Sequence, residues 1–213
     1  MRLGIYGGSF DPVHYAHLLL AECAREQLQL DQVWLLPAAL PPHKQSHVLA
    51  PGKARLEMIE LALAGDEHLR ASPLELDRGG TSYTVETLRR VRQDQPTAHV
   101  FLLMGADSLL DLPNWREPAE ICRLATPAVV QRAGAPPVDF SVLSQLVPVQ
   151  RLDEICQAQV QMPLVGLSST DLRERVAAGQ SLRFRTPRAV EKYIEAHGLY
   201  RASEAQPVAS PSS

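Results

Sequence analysis

The sequence predicts an α/β protein with an open, mostly parallel, Rossmann-like sheet and helices on both of its faces. Two observations carry this. Short, wholly apolar runs recur at residues 3–6, 33–37 and 100–104, as expected of strands buried on both sides. Between them lie longer segments whose apolar residues return at helical spacing. Two of the runs stop at glycines, Gly7-Gly8 and Gly105. In such sheets ligands sit beyond the carboxyl ends of strands, near the place where strand order reverses.

In chain order, residues 3–6 form a first strand closed by Gly7-Gly8, and 13–28 follow as a helix through Leu18, Leu19, Ala21, Cys23 and Leu28. A second strand at 33–37 leads into a proline-rich loop over 38–51 and a helix near 55–64. A strand near 69–76, a helix near 83–92, the strand at 100–104 and a fifth strand at 126–131 continue the alternation that a parallel sheet requires. Residues 133–162 have weak periodicity and several prolines, and only a short strand near 146–149 is assigned there. Helices at 169–178 and 187–197 complete a domain spanning 1–201. From residue 202 onward the chain is Ser, Ala, Pro, Gln and Glu with almost nothing to bury, which predicts a disordered tail over 202–213.

A chain of 213 residues with 45% hydrophobic content can bury one sizeable core. Its formal net charge of −3 gives no overall basic field, so neither nucleic acid nor an anionic membrane is an expected partner. An anionic ligand must be held by locally placed donors. Cys23, Cys122 and Cys156 are widely separated and odd in number, which argues against a disulfide framework and for a reducing compartment. The first residues lack the apolar stretch of a signal peptide, and no apolar run reaches membrane-spanning length. A cytoplasmic protein is expected, and a homo-oligomer stays open.

Gly7-Gly8 allows backbone N–H groups to approach a ligand closely, and the helix after it points its positive dipole end at the same space. His14 and His17, three residues apart, project on one face of that helix start, where ring N–H groups can donate to phosphate oxygens. Zinc fits less well, because helical zinc pairs favour four-residue spacing and no acidic third ligand follows. No dedicated metal-ligand set is predicted. Lys44, in the stiffened stretch Pro41-Pro42-His43-Lys44, can serve as a mobile point charge over a polyphosphate. Thr81-Ser82-Tyr83-Thr84 opens a helix, where free N–H groups suit a carboxylate, although capping alone explains these residue types. Ser168-Ser169-Thr170-Asp171 reads as an N-cap with Arg173 one turn in, its fork within reach of phosphate oxygens beside the helix start.

Gly8-Ser9-Phe10-Asp11-Pro12-Val13-His14-Tyr15-Ala16-His17 resembles the signature of the nucleotidyltransferase superfamily with a (His/Thr)-x-Gly-His motif. Its Gly-Gly-(Ser/Thr)-Phe-Asp-Pro-x-His form is similar to that of the bacterial nicotinate-nucleotide adenylyltransferases. Pro-Pro-His-Lys at 41–44, Thr-Ser-Tyr-Thr at 81–84, Gly-Ala-Asp at 105–107, Asn-Trp at 114–115, the Ser-Ser-Thr segment and the closing 186–200 stretch extend the resemblance over residues 1–201. Ala16 stands where the family's motif has glycine.

The resemblance implies a single nucleotidyltransferase domain that joins ATP and nicotinate mononucleotide into nicotinate adenine dinucleotide and pyrophosphate, with Mg²⁺ arriving on ATP. It implies His14, His17, Lys44 and Arg173 as the catalytic phosphate grip, and Gly7, Gly8, Ser9, Phe10, Ser169 and Thr170 as further ATP contacts. Thr81, Tyr83, Thr84, Asp107 and Trp115 are implied at the mononucleotide, with Trp115 stacked on the pyridine ring. Rival readings are a relative that adenylylates the amide mononucleotide or phosphopantetheine, or carries a cytidylyl group, and a catalytically silent nucleotide sensor.

Overall fold

Residues 1–41, 49–134 and 136–201 are described by a computed structural model. Lys44 and the segment 202–213 lie outside the described residues. The chain runs β1 (Arg2–Gly8), α1 (Tyr15–Gln27), β2 (Gln32–Pro37), α2 (Gly52–Ala62), β3 (Leu69–Ala71), α3 (Leu74–Arg78) and α4 (Thr84–Asp94). It continues with β4 (His99–Gly105), α5 (Ala106–Asp111), α6 (Pro118–Leu124), β5 (Thr126–Arg132), α7 (Val149–Gln157), β6 (Val160–Met162), α8 (Ser169–Ala177) and α9 (Arg188–His197).

The strands pair in the order β3-β2-β1-β4-β5-β6, and every pairing is parallel. The chain builds outward from β1 through β2 to β3, then returns to lay β4 against the other side of β1. That reversal puts the ends of β1 and β4, Gly8 and Gly105, on the two walls of one crevice. Strand alternation divides the apolar side chains between two cores. Val33, Leu35, Phe101, Leu103, Ala128 and Val130 pack with the apolar sides of α1, α2 and α9. Leu3, Ile5, Val100, Leu102, Met104 and Val129 pack with α4, α6 and α7 on the opposite face. Gly4 belongs to the first face, where an added methyl would come within 2.9 Å of Leu30 and 3.1 Å of Val33.

The helices follow their apolar spacing. In α4, Val85, Leu88 and Val91 are buried at three-residue intervals while Arg89 and Arg90 face out. Helix α8 starts at the Ser168 cap, whose hydroxyl accepts from Asp171 N at 3.1 Å. Helix α9 ends at Gly198, whose φ of 63° is the left-handed conformation glycine adopts without penalty.

Two strand expectations are corrected. Residues 146–149 are not a strand: Leu146 N and Val147 N donate back to Leu143 O, and Pro148, which has no N–H for a ladder, caps α7. The sixth strand is instead Val160–Met162, too short to carry a period of its own. Residues 69–76 are strand only as far as Ala71, because Pro73 starts α3.

Candidate active site

At the crevice between β1 and β4 lies a cleft of about 460 Å³ lined by Ser9, His14, Ala16, His17, Gly105, Ser169, Thr170 and Arg173, among others. His14 is the N-cap of α1 and only 4% exposed, and His17 sits at the third helical position. Their rings stack at 3.7 Å between centroids. The His14 backbone N–H donates to Nδ1 of His17 at 3.2 Å. An accepting Nδ1 places the ring proton of neutral His17 on Nε2, so it meets the cleft as an N–H donor.

The loop before α1 buries its Phe10 and Asp11 side chains, while Ser9 lines the cleft. Gly7 and Gly105 face space that no atom fills within 4 Å of an added methyl. Phe10 takes a φ of 46° and buries its ring edge-on against Tyr6 and His17. The ring props His17 from beneath and does not line the cleft. At Gly8 a methyl would crowd that ring at 3.1 Å.

Three successive carbonyls of this loop are caught from the last quarter of the chain. Arg173 Nη1 donates to Asp11 O at 2.8 Å, Ser169 Oγ to Pro12 O at 2.9 Å, and Thr186 Oγ1 to Val13 O at 2.8 Å. Arg173 Nη2 also reaches Thr170 Oγ1 at 3.2 Å. Two of the five guanidinium N–H donors are thus engaged, and the fork is oriented before any ligand arrives. Ser169 and Arg173 hold the loop as well as line the cleft.

Beneath the loop lies a polar cluster that sequence reasoning did not find. Asp11, fully buried, accepts from Tyr200 Oη at 2.6 Å and from Ala50 N at 3.1 Å. Arg55, 2% exposed, donates to Ser9 O and to Ala50 O, both at 2.9 Å. Burial pushes the Arg55 guanidinium below its ordinary pKa, and the Asp11 charge opposes that shift. Asp11 is inside the opening motif, but nothing in the sequence couples it to residues 39 and 189 positions away.

The second group of anticipated residues gathers around a separate cavity. Tyr83, Thr84, Asn114, Trp115 and Arg116 line it, with Tyr83 as the cap of α4 and Thr84 its first residue. Trp115 Nε1 donates to Asp111 at 3.0 Å, leaving the indole half-buried at the cavity wall. The Arg116 guanidinium lies 4.8 Å over the Tyr83 ring and pairs with Glu86 at 2.7 Å. Thr81 is bridged to Leu40 at the foot of the same segment. Asp107 is exposed in the first turn of α5 and lines neither cavity.

A doubly wound parallel sheet with a capped, paired-histidine helix start at its switch point defines a Rossmann-like fold of the nucleotidyltransferase type. The cytidylyltransferase-like family matches over residues 5–175. A probable nicotinate-nucleotide adenylyltransferase of Thermomicrobium roseum is 44% identical over 204 residues, 96% of this chain and 94% of that one. Another, from Thermus thermophilus, is 45% identical over 94% of this chain and 100% of its own. The fold is shared with the Plasmodium falciparum nicotinic acid mononucleotide adenylyltransferase complexed with NaAD, at a TM-score of 0.71, 18% identity and coverage of 93% and 97%. The chain belongs to the cytidylyltransferase-like family and, within it, to the nicotinate-nucleotide adenylyltransferases.

Proposed function

We propose that this chain transfers the adenylyl group of ATP to nicotinate mononucleotide, giving nicotinate adenine dinucleotide and pyrophosphate for NAD biosynthesis. The observation that carries the reading is the cleft at the β1/β4 crevice, where His14, His17, Ser169, Thr170 and Arg173 converge on the loop before α1. These are N–H and O–H donors, the chemistry that neutralises phosphate oxygens. An oxygen of the mononucleotide 5′-phosphate attacks the α-phosphorus, the bond to the bridging oxygen breaks, and pyrophosphate leaves with that electron pair. No side chain need accept a proton, so positioning and charge stabilisation supply the rate. His17 offers its Nε2–H and Arg173 its oriented fork. Lys44 and Gly7 to Phe10 take the roles implied by resemblance.

Mg²⁺ supplies further neutralisation of the phosphate oxygens when it arrives with ATP. The donor set of the cleft suits anions, so the ion would be held by phosphates and water. The acceptor cavity would take the pyridine ring against Trp115 and its carboxylate at the start of α4 by Tyr83 and Thr84, while Thr81 and Asp107 keep the roles implied by resemblance. A cytoplasmic setting is supported by free cysteines, of which Cys122 is a buried thiol that burial pushes up to about 11. No described helix is long and apolar enough to cross a membrane. Residues 1–201 act as one nucleotidyltransferase domain, since both core faces share a single sheet.

The deciding experiment is pyrophosphate release from ATP and Mg²⁺ with the acid or the amide mononucleotide as acceptor. Faster turnover of the acid is expected. Equal turnover overturns the ring assignment, and no release with either overturns the reaction.

A further inference from the structure

The loop that forms the phosphate side of the cleft rests on a residue far along the chain. Tyr200 follows the last helix and holds a φ of 62°, a left-handed conformation that an aromatic residue rarely adopts without compensating contacts. Its ring packs against the core that includes Phe10 and Val13, and its hydroxyl reaches Asp11. Burial, and then the Asp11 carboxylate, hold the phenol well above its ordinary pKa, so it stays a donor. The same Asp11 oxygen also accepts from Ala50 N, and Arg55 ties Ala50 O to Ser9 O. Ser9 and Asp11 are thereby locked at fixed spacing on either side of the inward-turned Phe10. Arg173 is part of the assembly, with Nη1 on the Asp11 carbonyl and 3.8 Å from its carboxylate.

We propose that Tyr200 is a positioning residue for nucleotidyl transfer, its hydroxyl fixing Asp11 and through it the spacing of the phosphate loop, Ala50 and Arg173. The inference rests on the cleft being the ATP side of the reaction proposed above. The donor does not touch the nucleotide; it sets where the loop N–H groups and the Arg173 fork stand, and displacements well under 1 Å matter for such preorganised groups.

The test compares Tyr200→Phe with Tyr193→Phe. Tyr193 sits on α9 and hydrogen-bonds Glu57 on α2, away from the loop. ATP binding is measured by calorimetry without acceptor, alongside kcat and each KM from pyrophosphate release, at a temperature where circular dichroism shows all variants folded. Loss of a hydrogen bond to a charged group predicts about a tenfold weaker ATP Kd and a lower kcat for Tyr200→Phe, with the mononucleotide KM within about twofold of the parent. Tyr193→Phe should bind ATP as the parent does. Parent-like ATP binding and kcat in folded Tyr200→Phe would overturn the proposal, and so would an equal loss in Tyr193→Phe, which would mean general softening of α9. Should Tyr200→Phe fail to fold, Asp11→Asn replaces it: weakened ATP binding supports the assignment, and parent affinity sinks it. Because the ATP arm needs no acceptor, it stands or falls apart from the choice of mononucleotide.

Discussion

The two halves of the proposed site are built differently. On the phosphate side, backbone carbonyls 11 to 13 are held one by one by Arg173, Ser169 and Thr186, over the buried cluster of Asp11, Arg55 and Tyr200. On the acceptor side, the walls are Tyr83, Trp115 and Arg116, joined by exposed ion pairs of Arg116 with Glu86 and Arg89 with Glu117. The first half has its geometry set in advance by buried and part-buried hydrogen bonds. The second is held by pairs that salt weakens and water competes for. Under the proposed reaction, charge stabilisation demands the former, whereas recognition of a flat ring tolerates the latter.

The largest effect should come from His17→Ala, which removes an oriented donor from the phosphate side. A fall of about 10²–10³-fold in kcat is expected, well beyond what the roughly 1 kcal/mol stability cost of losing the His14 N–H acceptor would give. A comparable loss of kcat from Trp115→Ala would erase the contrast. Next is Ser169→Ala, which leaves the buried Pro12 carbonyl without that donor. It should cost about 1–3 kcal/mol, read as a lower denaturant midpoint at constant slope, and weaken ATP binding more than mononucleotide binding. Trp115→Ala should raise the mononucleotide KM about tenfold while leaving the ATP KM within about twofold, as loss of an aromatic stacking face predicts. If stability falls instead, the indole is core and the acceptor cavity needs another ring platform.

Alkali should also separate the halves. Tyr193, through burial and its bond to Glu57, has its phenol pushed up to about 12, and Tyr200 is raised further. Groups whose folded pKa is raised stabilise fully below the unfolded value near 10 and lose that contribution as pH climbs through the folded one. Hydrogen exchange between pH 10 and 12 should therefore show the loop and α9 loosening first. The smallest effect belongs to Arg116→Ala: under about 1 kcal/mol of stability, vanishing at high salt, because the pair is largely exposed.

Legibility followed the same division of local from remote. β1, β2 and β4 announced themselves through apolar runs, β5 through the alternation of the chain, and His14 and His17 through a helix start after glycines. The short β6 escaped because three residues, Val160, Gln161 and Met162, carry no usable period, while Leu146 and Val147 imitated a strand in a place where local turns win. Phe10 was legible as a motif residue but not as a buried prop, since only its left-handed backbone turns the ring inward. Arg55 and Tyr200 read as ordinary helix and chain-end residues. Their role depends on a contact 189 positions long, which no spacing rule reaches.

That contact also sets a timetable. A chain emerging from the ribosome makes Gly7 to His17 first, yet the struts on that loop arrive as residues 169, 173, 186 and finally 200. Until Tyr200 emerges, the segment most legible in the sequence lacks this support, so the loop is braced only once residue 200 has been made.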